Sequence, residues 1–297
     1  MSQSGPLGQP PDGVPVRRFQ QVDVFSPEPL RGNPVAVVVD AEGLTPEQME
    51  RFTRWTNLSE ATFLLPPADA TADYRVRIFT AAGELPFAGH PPLGSCHAWL
   101  RAGGRPRDPE RIVQECGAGL VPVRQRDGLL AFQAPLLRRS GSVAESDLAR
   151  IARVLRIGRE AIVDSQWVDN GPGWVAVMLA AAEDVLAVSP ALPADDDGGR
   201  VDIGIVGAHA PGSECAYEVR AIFSGDRGRL IEDPVTGSLN ASLAQWLIGS
   251  GRVQPPYVVS QGTLLGRTGR PRIDQDSDGS VWVSGATHTL IEGHVRL

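Results

Sequence analysis

The sequence predicts a mixed α/β protein built from two similar lobes, on three observations. Residues 90–100, HPPLGSCHAWL, and 233–243, DPVTGSLNASL, align without a gap and share Pro, Gly, Ser, Ala and Leu at matching positions. Upstream, YRVRIFT (74–80) answers YEVRAIFS (217–224) at the same offset of 143 residues. The chain has 297 residues, enough for two domains. Self-similarity at nearly half the chain length points to two copies of one domain, because solenoid repeats are much shorter.

Taken in order, MSQSGPLGQPPDG opens a Pro- and Gly-rich tail, expected to be disordered over residues 1–15. The first lobe is expected over residues 16–134. VRRFQQVDVF (16–25) reads as a strand, RGNP (31–34) as a turn and VAVVVD (35–40) as a buried strand. Thr45 with Pro46 and Gln48 has the form of a capping box opening a helix to about Trp55, with Met49, Phe52 and Trp55 towards the core. ATFLLPP (61–67) and YRVRIFT read as strands, and a helix from Pro91 carries Leu93, Cys96 and Leu100 on one face. Strands follow at 111–116, 119–125 and 128–134, with DG (127–128) as a hairpin turn.

The second lobe is expected over residues 135–284. An amphipathic helix spans 143–156, and AIVDSQWV (161–168) and WVAVMLA (174–180) are strands around the polar turn DNGP (169–172). ADDDGGR (194–200) reads as a solvated loop. VDIGIVGA (201–208) and YEVRAIFS are strands leading into EDPVTGSLNASLAQWL (232–247), read as loop then helix. Pro234 suits its first turn, Leu239, Leu243, Trp246 and Leu247 share an apolar face, and GSG (249–251) is a stop. YVVSQG (257–262) and VWVSGATHTLIEGHVRL (281–297) finish the sheet, and residues 285–297 are expected to return to the first lobe.

The chemistry-bearing groups gather at two helix starts. A helix start offers unpaired N–H groups and partial positive charge, which suits a carboxylate ligand. Locally, Asp233 reads equally as an N-cap, His90 as a capping or satisfied histidine, and Glu60 as a solvated turn carboxylate. The second copy changes the reading, because facing lobes would place a small anion between the two helix starts. A carboxylate such as Glu60 beside an apolar run would have a raised pKa, useful for proton transfer. DNGP would lie beside the same cleft if the lobes mirror each other, which makes Asn170 and Gly171 candidate contacts.

Composition narrows the classes. Hydrophobic residues make up 42% and charged residues 21%, as in a soluble globular protein. A net charge of −7 gives no basic footprint, so nucleic acid is not an expected partner. No apolar run approaches a membrane span, and no signal sequence opens the chain. Cys96, Cys116 and Cys215 are far apart, with no C-x-x-C, so a reducing cytoplasm is expected. His90 and His97 lack the helical i, i+4 spacing of a metal pair, and no metal site is read.

NLSEATF (57–63), RIFT (77–80), ELPFAGHPPLG (84–94), DNGP, EDPVTGS (232–238) and QGTLLGR (261–267) together resemble, in order, the phenazine-biosynthesis isomerase family. The resemblance implies a fold like that of diaminopimelate epimerase: two pseudo-symmetric lobes, each a mainly antiparallel curved sheet around a central helix. It implies a homodimer, no metal or organic cofactor, and a small carboxylate substrate in the cleft. The family's proton carrier falls on Glu60, its GHP histidine on His90, and its D-P-x-T-G-S aspartate and serine on Asp233 and Ser238. Gly89, Gly237 and Ser238 are then expected to hold the substrate. The activity implied is isomerisation of a small cyclic unsaturated amino acid such as trans-2,3-dihydro-3-hydroxyanthranilate, in natural-product biosynthesis. The alternatives are a one-base epimerase, an isomerase of a dihydropyrrole-carboxylate, and a non-catalytic binder. Related epimerases use a pair of thiols at the helix starts; here those positions carry His90 and Asp233 instead.

Overall fold

The structure is a computed structural model that describes residues 13–194, 199–225 and 229–297. The first twelve residues of the expected tail, and residues 195–198 of the acidic loop, lie outside the described residues. Strands β1 (Val16–Val24) and β2 (Asn33–Val38) form an antiparallel pair. Helix α1 (Pro46–Thr56) starts in the expected capping box: the Thr45 hydroxyl accepts from the Gln48 N–H, and the Gln48 side chain accepts from the Thr45 N–H. β3 (Ala61–Leu65) then lies parallel to β2, and β4 (Tyr74–Thr80) antiparallel to β3. β4 pairs at one end with β5 (Gly83–Leu85). After α2 (His90–Arg101), the other end of β4 pairs in parallel with β6 (Ile112–Cys116). β7 (Gly119–Arg126) and β8 (Leu129–Gln133) complete the half, joined by Asp127 and Gly128, both at positive φ as a two-residue hairpin requires.

The second half repeats this plan strand for strand. A short β9 (Arg139–Gly141) and α3 (Glu145–Leu155) lead into β10 (Asp164–Asp169) and β11 (Val175–Met178), an antiparallel pair. After α4 (Ala182–Ala187), β12 (Asp202–Ala208) lies parallel to β11, and β13 (Tyr217–Ser224) antiparallel to β12. β13 pairs with β14 (Leu230–Asp233) at one end. Following α5 (Gly237–Gly249), its other end pairs in parallel with β15 (Tyr257–Gln261). β16 (Arg272–Gln275) and β17 (Val281–Gly285) close the half. β17 lies antiparallel to β8, β9 pairs with β10, and the last strand, β18 (Thr287–Arg296), pairs along β1. The sheet is mainly antiparallel, with a parallel step at equivalent places in each half, and the two-lobed α+β architecture holds.

The matching strings of the sequence mark one ionic clasp in each half. Arg77 on β4 makes a two-point pair with Glu84 on β5, at 2.8 and 2.7 Å. Arg220 on β13 makes the same pair with Glu232 on β14, at 3.0 and 2.8 Å. Each clasp fixes the short strand that feeds a central helix. Arg220 also donates to the carbonyls of Val185 and Val188, which occupies acceptors at the C-terminal end of α4.

The sheets wrap the two central helices, so these are buried nearly all round. In α5 every residue from Gly237 to Leu247 is buried except Gln245, not only the apolar face read from the sequence. Its polar side chains are held by nearby groups: Asn240 donates to the Thr236 carbonyl and to Gln261, and Ser242 to the carbonyls of Ser238 and Leu239, while Asn240 Oδ1 has no partner. The helix also starts later than expected. Asp233 ends β14 and Pro234 precedes the first turn, because the Gln261 side chain holds the Thr236 N–H and the Asp233 carbonyl. Trp55 is a second correction: it is 79% exposed and only stacks on Phe52, since α1 ends at once in the left-handed Asn57 and nothing covers its last turn. Among the described residues no helix is long and apolar enough to cross a membrane.

Candidate active site

The first turns of α2 and α5 meet backbone to backbone at Gly89 and Gly237, and no side chain caps either helix. Around this junction the structure gathers Glu60, His90 and Asp233. Glu60 sits at the loop-to-strand step just before β3, so the buried strand pulls its carboxylate inward. Its side chain is 15% exposed, yet Oε2 is fully buried and has no hydrogen-bond partner. That oxygen lies 3.5 Å from Nε2 of His90, the first residue of α2. His90 Nε2 is likewise buried and unpaired.

Asn33, at the start of β2 and fully buried, links His90 to the other half. Its amide nitrogen is 3.2 Å from His90 Nδ1, 3.0 Å from Asp233 Oδ1 and 3.0 Å from the Val235 carbonyl. An amide NH2 has two hydrogens for these three neighbours, and the His90 ring also hydrogen-bonds the Pro34 backbone. Asp233 Oδ2 accepts from the Thr236 hydroxyl at 2.5 Å.

The electrostatics follow from this burial. Desolvation, and then the nearby charge of Asp233, push the Glu60 carboxyl well above its ordinary range. Desolvation also raises Asp233, but donation from Thr236 and Asn33 opposes it. Burial lowers His90 to about 3, so its imidazole is neutral at physiological pH.

The remaining expected residues sit around the start of α5. Ser238 accepts from the Trp174 indole at its hydroxyl (3.2 Å) and from the Asn170 amide at its carbonyl (2.9 Å). Asn170 Oδ1 is buried without a partner. The Gly171 and Gly173 N–H groups both donate to Asp169 at 2.7 Å, which closes the 169–173 turn on itself, and the Asn170 amide ties that turn to α5. Thr236 reads in the sequence only as one of the polar groups at the start of α5, and Asn33, Gln261 and Trp174 escape the sequence reading. RGNP and QGTLLGR mark Asn33 and Gln261, but their partners lie on other segments and leave no local pattern. Among the described residues no group of three or more His, Cys, Asp or Glu side chains gathers as a metal would need.

The two halves are not chemically equivalent. The strand register, with Arg77 opposite Phe63 and Arg220 opposite Ile205, puts Asp202 where Glu60 stands, and Asp202 is paired with Arg200 whereas the buried oxygen of Glu60 has no hydrogen bond. Cys96 lies inside α2 and is fully buried, and desolvation pushes its thiol up to about 12. A thiol so placed is inert, and no thiol stands at either helix start.

Comparison with known proteins places the family and the fold. The sequence model of the PhzC-PhzF family, described as phenazine biosynthesis-like protein, matches residues 22–293. The chain is 33% identical over 291 residues to antisense-enhancing sequence 1 of Schizosaccharomyces pombe, covering 93% of this chain and 97% of that protein. It is 33% identical over 297 residues to trans-2,3-dihydro-3-hydroxyanthranilate isomerase of Pseudomonas aeruginosa, covering 95% and 100%. The solved structure of a predicted epimerase from Pseudomonas aeruginosa superposes with a TM-score of 0.76 at 27% identity, covering 94% of this chain and 99% of that one.

Proposed function

The chain belongs to the phenazine biosynthesis-like (PhzC-PhzF) family, whose members include isomerases, and on that premise we propose that it moves a proton between two carbons of a small cyclic unsaturated amino acid. The reaction class is that of trans-2,3-dihydro-3-hydroxyanthranilate isomerase, with Glu60 as the proton carrier. The observation that carries this reading is the buried, unpaired Oε2 of Glu60, 3.5 Å from a neutral His90.

As a carboxylate, Glu60 takes a proton from one ring carbon while the C–H electron pair enters the conjugated system. The double bonds shift, and Glu60 returns the proton to a second carbon. Proton and electrons balance within the substrate, so one group serves as base and then acid. Burial keeps the proton from water between the two steps. The N–H groups of Gly237 and Ser238 hold the substrate carboxylate, because the uncapped start of α5 is an anion site. Asp233 holds the amino group, and His90 contacts the substrate hydroxyl or relays the proton of Glu60.

The test is turnover of dihydro-hydroxyanthranilate in heavy water by the wild type and by Glu60→Gln. A shifted double bond with deuterium incorporation that the variant loses supports the proposal. Inversion at one carbon without a bond shift identifies an epimerase, and binding of such acids without turnover identifies a binding protein.

A further inference from the structure

Glu60 and Asp233 are two buried carboxyl groups in one site, and the hydrogen bonds around them decide which one holds a proton. Gln261, the last residue of β15, is fully buried with its amide engaged on both sides. Its Oε1 accepts from the Thr236 N–H at 3.0 Å and from Asn240 Nδ2 at 2.8 Å. A backbone N–H can only donate, so this orientation of the amide is fixed. Nε2 must then donate, to the Asp233 carbonyl at 3.3 Å and to the Thr236 hydroxyl at 3.0 Å. A hydroxyl has one hydrogen, and with a donor already behind it that hydrogen turns to Asp233 Oδ2. The other carboxylate oxygen, Oδ1, receives the Asn33 amide. Both oxygens of Asp233 therefore accept hydrogen bonds, while the buried oxygen of Glu60 accepts none, with His90 Nε2 3.5 Å away.

We propose that Asn33, Thr236 and Gln261 are positioning residues that hold Asp233 as the anion of the pair and leave the proton on Glu60 in the resting protein. This rests on the reading of Glu60 as the proton carrier and adds what arms it. The charged and titratable groups facing the pair are His90 from α2 and Glu232 from β14, the latter neutralised by Arg220 of β13. No cation among these offsets Asp233, so its charge keeps Glu60 protonated until a positive group arrives. The cationic amino group of a substrate, settled against Asp233, cancels that charge and lets Glu60 ionise into a base. The amino group is then the trigger for catalysis as well as a handle for binding. The raised titration of Glu60, with Asp233 among its causes, points the same way.

The experiment is a pH titration of the full chain carrying 13C in its Asp and Glu side-chain carboxyls, with Glu60→Gln used to assign the signal. In the wild type the Glu60 carboxyl is expected protonated at neutral pH and Asp233 ionised. Thr236→Val, nearly isosteric, removes one donor: Asp233 should titrate at higher pH and Glu60 at lower pH, in opposite directions. Thr236→Ser keeps the hydroxyl and should restore both. A merely structural threonine would not move the two groups apart. A wild-type protein with its proton on Asp233 overturns the inference, and so does a folded valine variant in which both groups stay put or move together. If the valine variant does not fold, the wild-type titration decides alone. An active isomerase with the proton on Asp233 sinks this inference only. A protein with the expected titration that turns over no amino acid sinks the isomerase reading only.

Discussion

Gly89 and Gly237 touch backbone to backbone. A Cβ built on Gly89 would lie 2.0 Å from the Ser238 nitrogen and 2.2 Å from the Gly237 Cα, and one on Gly237 would lie 2.7 Å from the Gly89 Cα. Rigid backbone stands on both sides of this contact, so no side-chain rotation relieves it. The two halves approach this closely because both residues are glycine, and the approach draws Glu60 and His90 of one half to Asp233 of the other.

Gly89→Ala is therefore expected to destabilise the protein by about 3 kcal/mol or more, at the upper end of overpacking costs. Activity should fall with it, because the added methyl separates the helix starts. Gly249→Ala is the control, since a Cβ there meets nothing within 4 Å and Gly249 only ends α5. Urea denaturation of the two variants checks the contrast, and equal midpoints would remove the argument for a forced contact.

Glu60→Gln keeps the shape of the side chain and removes the proton carrier, so kcat should drop by roughly 10²–10⁴. Its stability should move the other way. The Glu60 carboxyl is raised in the fold, so the folded state binds a proton that the unfolded chain releases above about the ordinary 4.5. The contribution is intact below that pH and is lost as pH rises towards the raised value. The glutamine variant has no such loss and should be the more stable protein at pH 8, by a margin that shrinks towards pH 4. Unfolding curves across that range test the sign.

Much of this arrangement was legible before the structure, and its limits have a physical cause. The duplication was readable because each half builds its clasp from an arginine at the same place in a matching strand, Arg77 in YRVRIFT and Arg220 in YEVRAIFS. The capping box at Thr45 and the hairpin at Asp127–Gly128 were readable because each is complete within four residues. His90 and Asp233 were legible through the second copy and the family motifs, and the role of Glu60 through its motif, since their own surroundings also fit capping and turn roles. Asn33 and Gln261 were not legible, because they act on residues 200 and 25 positions away. Trp55 misled because helical spacing shows which face a residue shares, not whether another element arrives to cover it.

His90 gives the acid limb of stability. Burial holds its folded value at about 3 against an ordinary 6.5. Between these values the unfolded chain takes up a proton that the fold refuses, so stability rises with pH from about 3 to 6.5 and then stays level in this respect. The full span corresponds to about 5 kcal/mol. His90→Gln, which cannot titrate, should flatten this limb while leaving the opposite slope from Glu60 above pH 5. A variant as acid-sensitive as the wild type would place the acid limb in other groups.

The paired clasps offer a comparison within one molecule. The side chains of Arg220 and Glu232 are 4% and 14% exposed, whereas those of Arg77 and Glu84 are 18% and 42% exposed. Removing one partner of a buried pair leaves a charge that neither water nor protein satisfies, so Arg220→Ala is expected to cost about 3–5 kcal/mol. Arg77→Ala leaves a half-exposed Glu84 that water can reach, and about 1 kcal/mol is expected. Arg220→Ala should also reach the site. It strips the counter-charge from Glu232, whose negative charge already raises its neighbour Asp233. Asp233 would then hold a substrate amino group as an anion only at higher pH, so the rise of kcat/KM with pH should move to higher pH in this variant and stay in place in Arg77→Ala. Parallel unfolding and pH–rate measurements separate the two, and matched losses from both variants would show that burial does not distinguish the clasps.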